Sequence, residues 1–293
     1  LRKFLSKMPS ETPLIALSTA SAQVLSLVAR NGSKRILRLS EDMDRYKRRG
    51  LKSYLYFKRI FPKFDGFIAN SEWTQTTIPA SLEHISVRLA YPLSGIQSST
   101  RREKSVLSDD VVKISCFSRP VRWKGLDLAI KALGELKHLE IPIELSIYGG
   151  EYLSELEYMD ELRTLASASG VSTHFLPFTD DVSSAMAESD IVLLPSRLPE
   201  PFGQVTVQAL NAGCVVIASA HGGTLELIED GFNGRMFAPE NYHDLARVVE
   251  EVIDSPEVAR SLAENARTSA AAFWDSELAQ KFEAVILQLL EDA

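Results

Sequence analysis

The sequence has few of the residues that mark a disulfide scaffold, a metal centre or a membrane span. Its 293 residues hold two cysteines, Cys116 and Cys214, each inside an apolar, strand-like run. They read as core thiols of a reduced compartment rather than as a disulfide framework. No apolar stretch approaches the ~18 residues that would cross a bilayer, and no leader pattern opens the chain. The five histidines, His84, His138, His174, His221 and His243, lack ligand spacing, so no metal is expected. A P-loop and a Ser-His-Asp arrangement are also missing. The chain does not open on Met, which reads as a fragment.

What remains is an ordinary folding composition, with 45% apolar and 24% charged residues. That suits two globular domains. The net charge of −7 is uneven, since residues 1–63 carry +11 and the rest −18. The basic part runs D-R-Y-K-R-R-G-L-K-S-Y-L-Y-F-K-R-I-F-P-K-F and interleaves Arg45, Lys47, Arg48, Arg49, Lys52, Lys58, Arg59 and Lys63 with Tyr54, Tyr56, Phe57, Ile60 and Phe61. Two readings stay open: a helix lying on an anionic membrane surface from Arg45 to Lys63, or a solvated helix whose aromatics pack on their own sheet. Nucleic acid is not expected as a partner, because the acidic remainder repels phosphate backbone.

Strand signals alternate with helix signals at Leu14 to Ser18, Arg35 to Leu39, Gly66 to Ala69 and Ile85 to Tyr91, which predicts a parallel sheet. Residues 92–109 lack periodicity, are rich in serine and charge, and read as a linker. Signals resume at Val112 to Phe117, Ile143 to Tyr148, Thr173 to Leu176, Ile191 to Leu194, Cys214 to Ala218 and Arg235 to Phe237. Six such strands with helices between them predict a complete doubly wound domain over 110–272. Residues 1–91 make a partial one, and 273–293 an amphipathic helix.

The most informative stretch is S-D-I-V-L-L-P-S-R-L-P-E-P-F-G-Q-V-T-V-Q-A-L-N-A-G, from Ser189 to Gly213. A buried strand ends at Pro195, and a helix starts near Gln204 after Gly203. Glu200 sits at the loop tip between two prolines, and the amides of residues 202 to 205 open the helix toward an anion. Arg119 and Lys124 follow another buried strand and flank a turn, where a planar fork and a point charge can converge on phosphate. Gly149 and Gly150 end a third strand, where backbone can approach a nucleotide or merely turn. His221, Gly222, Gly223 and Thr224 form a loop before a short helix. Thr224 reads either as a pyrophosphate contact or as a plain N-cap.

Taken together, P-E-P-F-G-Q-V-T-V-Q-A-L-N-A-G-C-V-V-I-A, F-S-R-P-V-R-W-K-G-L-D-L-A-I, S-I-Y-G-G and H-G-G-T-L-E-L-I-E-D-G-F-N-G resemble the donor side of family 4 retaining glycosyltransferases of GT-B fold. The resemblance runs from about Val111 to the C-terminus. It implies two Rossmann-like domains, the first incomplete, with the last helix crossing back to it. It also implies that Glu200 contacts the transferred sugar, that Phe202 and Gly203 shape its pocket, that Arg119 and Lys124 hold the diphosphate, and that Phe178 and Thr179 bracket the base. Gln208 stands where the family has a second Glu that binds the donor ribose. The family's acceptor-side His is replaced in Ser40-Glu41-Asp42, and its first strand and Gly-Gly loop are absent. Asp42-Met43-Asp44 mimics a GT-A metal motif that the rest of the chain contradicts.

The expected function is transfer of a sugar, with retention, from a UDP-sugar or GDP-sugar to a glycan or glycolipid hydroxyl in cell-envelope synthesis. No other cofactor is expected, and the location implied is cytoplasmic, at the inner face of the plasma membrane. The alternative is a non-catalytic nucleotide-sugar-binding subunit that needs another chain.

Overall fold

A computed structural model of the chain describes residues 9, 12–27, 33–44, 50–97, 106, 107, 110–150 and 155–292. Two compact units emerge: Leu1–Leu93 with Asp275–Ala293, and Ser94–Trp274. Both are α/β units built on parallel sheets, as the resemblance implied.

In the first unit the chain runs β1 (Leu14–Ala16), α1 (Thr19–Ser26), β2 (Arg35–Leu39), α2 (Leu51–Leu55), β3 (Gly66–Ala69), α3 (Glu72–Thr76) and β4 (Ser86–Leu89). Its four strands pair in parallel in the order β1-β2-β3-β4. Local sequence explains the helix starts. Ser18 and Ser21 bond reciprocally to each other's backbone N–H ahead of α1, and Ser71 Oγ accepts from Thr74 N at 2.9 Å ahead of α3. The core gathers Leu37, Phe61, Phe67 and Leu82.

Part of the basic aromatic segment packs on its own unit. Arg45, Lys47, Arg48, Arg49 and the side chain of Lys52 lie outside the described residues. After α2 a π-turn (Tyr56–Ile60) and a 3₁₀ turn (Phe61–Lys63) rotate the aromatics inward. Phe61 is fully buried, with its ring centroid 5.5 Å from Phe57 and 6.3 Å from Phe67. Lys63 Nζ donates to Ser26 O at 2.7 Å. Leu51, Tyr54 and Leu55 instead face outward, as do Lys58 and Arg59.

The second unit runs β5 (Val112–Phe117), α4 (Leu126–Glu135), β6 (Ile143–Tyr148), α5 (Leu156–Ser169), β7 (Ser172–Leu176), α6 (Val182–Ala187), β8 (Ile191–Leu194), α7 (Gln204–Ala212), β9 (Val215–Ser219), α8 (Thr224–Leu227), β10 (Arg235–Phe237), α9 (Tyr242–Ile253) and α10 (Pro256–Ala270). Its sheet is parallel in the order β10-β9-β8-β5-β6-β7. The central strands are buried on both faces, which is why they read as unbroken apolar runs. Both cysteines are buried and outside any disulfide, and burial pushes the Cys116 thiol up to about 12.

Two boundaries differ from the sequence reading. From Ser94 onward the described parts of 92–109 belong to the second unit: Ser94 and Ile96 are buried, Val106 joins its core, and Leu107 N donates to Asp190 Oδ1 at 3.2 Å. Isolated apolar residues in a polar stretch anchor it. Phe273 and Trp274 also stay with this unit, because the Phe273 ring lies 6.1 Å from that of Phe202 and Trp274 Nε1 donates to Asn211. The last helix, α11 (Asp275–Glu291), belongs to the first unit. There Leu289 packs with Ile36, Ile68 and Ala90, and Arg88 pairs with Asp292 just beyond the helix.

Candidate functional site

Strand order reverses between β5 and β8, so the loops that leave their carboxyl ends diverge to opposite faces and open a crevice. A cavity of about 160 Å³ lies there in the second unit. Phe117 and Ser118 at the end of β5, and Leu194, Pro195 and Ser196 at the end of β8, form part of its lining. Lys124, Glu200, Gly203, Gln204, Thr206, Ser219, His221 and Thr224 complete most of the rest.

Lys124 arrives on a short 3₁₀ turn, Arg122–Lys124, that ends in left-handed Gly125 at φ +66°. A Cβ at Gly125 would lie 2.0 Å from Pro195 O, so only glycine lets the β5 turn press against the end of β8. That contact brings Lys124 Nζ onto Glu200 Oε1, which also accepts from Ser196 Oγ at 2.7 Å. The pair is largely enclosed, with side chains 17% and 20% exposed. The ammonium also stands 4.4 Å from the centroid of the Trp123 ring.

A second set of bonds fixes the loop that carries Glu200. Arg197 N donates to Trp123 O at 2.7 Å, and its guanidinium donates to Asp127 Oδ2 at 2.5 Å. Tyr158 Oη donates to Asp127 Oδ1 at 2.9 Å. Burial alone would raise the Asp127 carboxyl. The Tyr158 and Arg197 hydrogen bonds, with the Arg197 charge, outweigh it and hold the group below the usual carboxylate range. Burial, then the Asp127 charge, pushes the Tyr158 phenol up. On the far side, Gly223 N donates to Glu200 O at 2.8 Å, and Gly222 lies so close that a Cβ would meet Glu200 O at 2.6 Å.

The first turn of α7 lines the same cavity without a side-chain cap, so the positive end of the helix dipole is directed there. The arrangement therefore offers a cation, a helix N-terminus, a carboxylate and several hydroxyls. Together these suit an anionic, hydroxylated ligand.

The structure gathers Lys124, Glu200, Gly203, Gln204 and Thr224 around the cavity. Gly222 and Gly223 support the Glu200 loop from behind. Gly149 packs against Ser118, where a Cβ would lie 2.0 Å from its carbonyl oxygen, and Gly150 follows it. Arg119 is exposed one residue past Ser118 and is not among the lining residues. Phe178 is exposed on the loop after β7, and Thr179 Oγ1 accepts from Asp181 N. Phe202 is 2% exposed and points into packing with Phe273 rather than into the cavity. Gln208, one turn further along α7, donates its Nε2 to Ser94 O at 2.8 Å and also lies outside the lining.

Three lining residues, Ser118, Ser196 and Ser219, carry no distinguishing signal in the sequence, and a fourth, His221, reads there only as the opening of the loop before α8, with no role of its own. Each is a common polar residue at a strand end or just beyond one. Only the rule that ligands lie at carboxyl ends beside a switch point would have nominated them. Among the described residues no group of three or more His, Cys, Asp or Glu stands close enough to hold a metal. Asp42 Oδ1 accepts from Asp44 N at 2.7 Å in a local turn. No described helix is long and apolar enough to cross a membrane.

Comparison with known proteins adds a third line of observation. The family description "Glycosyl transferases group 1" matches residues 97–269. The GDP-mannose-dependent alpha-(1-6)-phosphatidylinositol monomannoside mannosyltransferase of Mycolicibacterium smegmatis is 29% identical over 59% of this chain and 46% of its own length. The lipopolysaccharide core biosynthesis mannosyltransferase LpcC of Rhizobium leguminosarum bv. viciae is 29% identical over 72% of this chain and 60% of its own. The chain thus spans about half the length of these relatives. Among solved structures, Anabaena HepE in complex with UDP and glucose superposes with a TM-score of 0.81 at 22% identity, covering 94% of this chain and 77% of HepE. The shared fold is GT-B.

Proposed function

The chain belongs to the group 1 glycosyl transferases, and on that premise we propose that it moves a sugar from a nucleoside diphosphate sugar to a hydroxyl of a glycan or glycolipid. The observation that carries this reading is the Lys124–Glu200 pair at the switch point, beside the N-terminus of α7. As the bond from the sugar to the diphosphate breaks, negative charge develops on the leaving oxygen. Lys124 and the first amides of α7 stabilise it there, with Arg119 at the rim. Glu200, held by Ser196, orients the sugar hydroxyls. No metal is required, because the cation and the helix terminus supply the positive charge. The acceptor hydroxyl then attacks on the face the diphosphate leaves and gives its proton to the departing diphosphate oxygen, so the anomeric configuration is retained, as in family 4.

Gly149, Gly150, Phe178 and Thr179 are proposed to bound the base, while Gly222, Gly223 and Thr224 flank the diphosphate. Gln208 has one of its two Nε2 hydrogens committed to Ser94, so it offers the donor ribose its amide oxygen and a single remaining N–H. Named relatives act in mannoside, lipopolysaccharide and N-acetylglucosamine transfer. That supports a role in cell-envelope glycolipid or polysaccharide synthesis with UDP- or GDP-sugars. A peripheral position on an anionic membrane is proposed for Leu51, Tyr54 and Leu55 with Lys58 and Arg59. Salt-dependent sedimentation with anionic but not neutral vesicles tests it.

The test of the main reading is calorimetry of the purified chain with UDP, GDP and their hexose conjugates, followed by NMR of the anomeric proton in any product. Absence of binding to every nucleotide overturns the proposal. Binding without transfer or donor hydrolysis favours a nucleotide-sugar-binding subunit. An inverted anomer overturns retention alone.

A further inference from the structure

Three side chains of the cavity have buried polar atoms with no hydrogen-bond partner among the described residues: Ser118 Oγ, Ser219 Oγ, and both ring nitrogens of His221. All three residues line the same cavity as Lys124 and Glu200. They come from different elements, Ser118 just past β5, Ser219 at the end of β9 and His221 two residues later, where its N–H donates to Ser219 O at 2.9 Å. The backbone turn thus ties together two residues that both line the cavity. Buried polar atoms are nearly always matched in a folded protein, and those left unmatched at a cavity wall indicate what the cavity receives.

The chemistry of the set narrows the ligand. A neutral imidazole donates from one nitrogen and accepts at the other, and each serine hydroxyl can do both. An apolar group would match none of them. Phosphate oxygens, which only accept, would leave the accepting lone pairs of both serine hydroxyls unused. Sugar hydroxyls both donate and accept, and so can match every atom of the set. We propose that His221, with Ser118 and Ser219, reads the hydroxyls of the transferred sugar and so determines which donor is accepted. This rests on the donor-site reading of the cavity, in which Lys124 and α7 take the diphosphate.

The assignment separates sugar recognition from diphosphate recognition, and calorimetry can measure the two apart. UDP and GDP, and UDP-glucose and GDP-mannose, are titrated into the parent chain, His221→Phe, His221→Gln and Ser219→Ala. For whichever nucleotide the parent binds, His221→Phe is expected to leave the diphosphate within about twofold and to weaken the hexose conjugate about tenfold, the loss of two neutral hydrogen bonds. His221→Gln, which keeps a donor and an acceptor, should recover most of that loss. Ser219→Ala removes a single hydroxyl and should weaken the conjugate alone by about threefold. It keeps the assignment testable should His221→Phe fail to fold. Equal weakening of diphosphate and conjugate, or no change in either, overturns the inference while leaving the donor site standing. A parent chain that binds none of the four overturns both.

Discussion

Glu200→Gln is expected to tighten nucleoside diphosphate binding even though it alters a residue of the site. In the structure the Lys124 ammonium is engaged by Glu200 Oε1, and both side chains are mostly enclosed. A diphosphate must draw the ammonium away from that carboxylate and also approach a negative charge. A neutral amide keeps the shape and one accepting oxygen but removes the charge attraction. The net worth of such a pair is about 1 kcal/mol, because desolvation offsets much of the Coulomb gain. Its removal therefore predicts roughly fivefold tighter UDP or GDP. Lys124→Met acts oppositely. It deletes a charge-assisted bond of about 1.5–3 kcal/mol, which weakens the same nucleotide by roughly 10- to 150-fold. Transfer should fall in both variants, since Glu200 orients the sugar. Combining them should leave affinity no worse than in Lys124→Met alone. Calorimetry with UDP and GDP on the three variants is the assay. If Glu200→Gln weakens the diphosphate as much as Lys124→Met does, the carboxylate organises the phosphate site instead of competing for its cation, and the reasoning fails.

Gly125→Ala should destabilise the chain by about 2–4 kcal/mol, from left-handed strain and the clash with Pro195 O, lowering Tm by roughly 5–15 °C. An unchanged melt would mean that the β5 turn is not pressed on β8. Gln208→Glu removes the donor to Ser94 O and sets a carboxylate against that carbonyl, so stability at neutral pH should fall by about 1–2 kcal/mol in urea titration. A variant as stable as the parent would show that the Ser94 bond contributes nothing. Asp127 has a folded pKa below its unfolded value, so its contribution is fully present above the unfolded value of about 3.8 and is lost as pH falls through the lower, folded one. The stability gap between parent and Asp127→Asn should accordingly be widest between pH 5 and 7 and shrink toward pH 3; a gap independent of pH would remove Asp127 from the acid limb.

Much of this molecule is legible in its sequence because the relevant forces are local. Unbroken apolar runs such as Ile191–Leu194 specify buried parallel strands. Ser71 specifies a helix start by bonding three residues on. The segment from Ser189 to Gly213 encodes strand, stiff loop and helix opening within 25 residues, so Glu200 could be nominated as a site residue without knowing what surrounds it. Tertiary structure alone decided which strands lie side by side. Lys124 meets Glu200 across 76 positions of sequence because β5 pairs with β8. Gln208 meets Ser94 across 114, a partner that no spacing in the sequence suggests. The inward turn of Phe57 and Phe61, the burial of Phe202 against Phe273, and the meeting of Ser118, Ser219 and His221 at one wall have the same origin. Periodicity reports which face of an element is apolar. The partner of that face, and the polar atoms left unmatched beside it, are settled only when long-range packing closes the sheet.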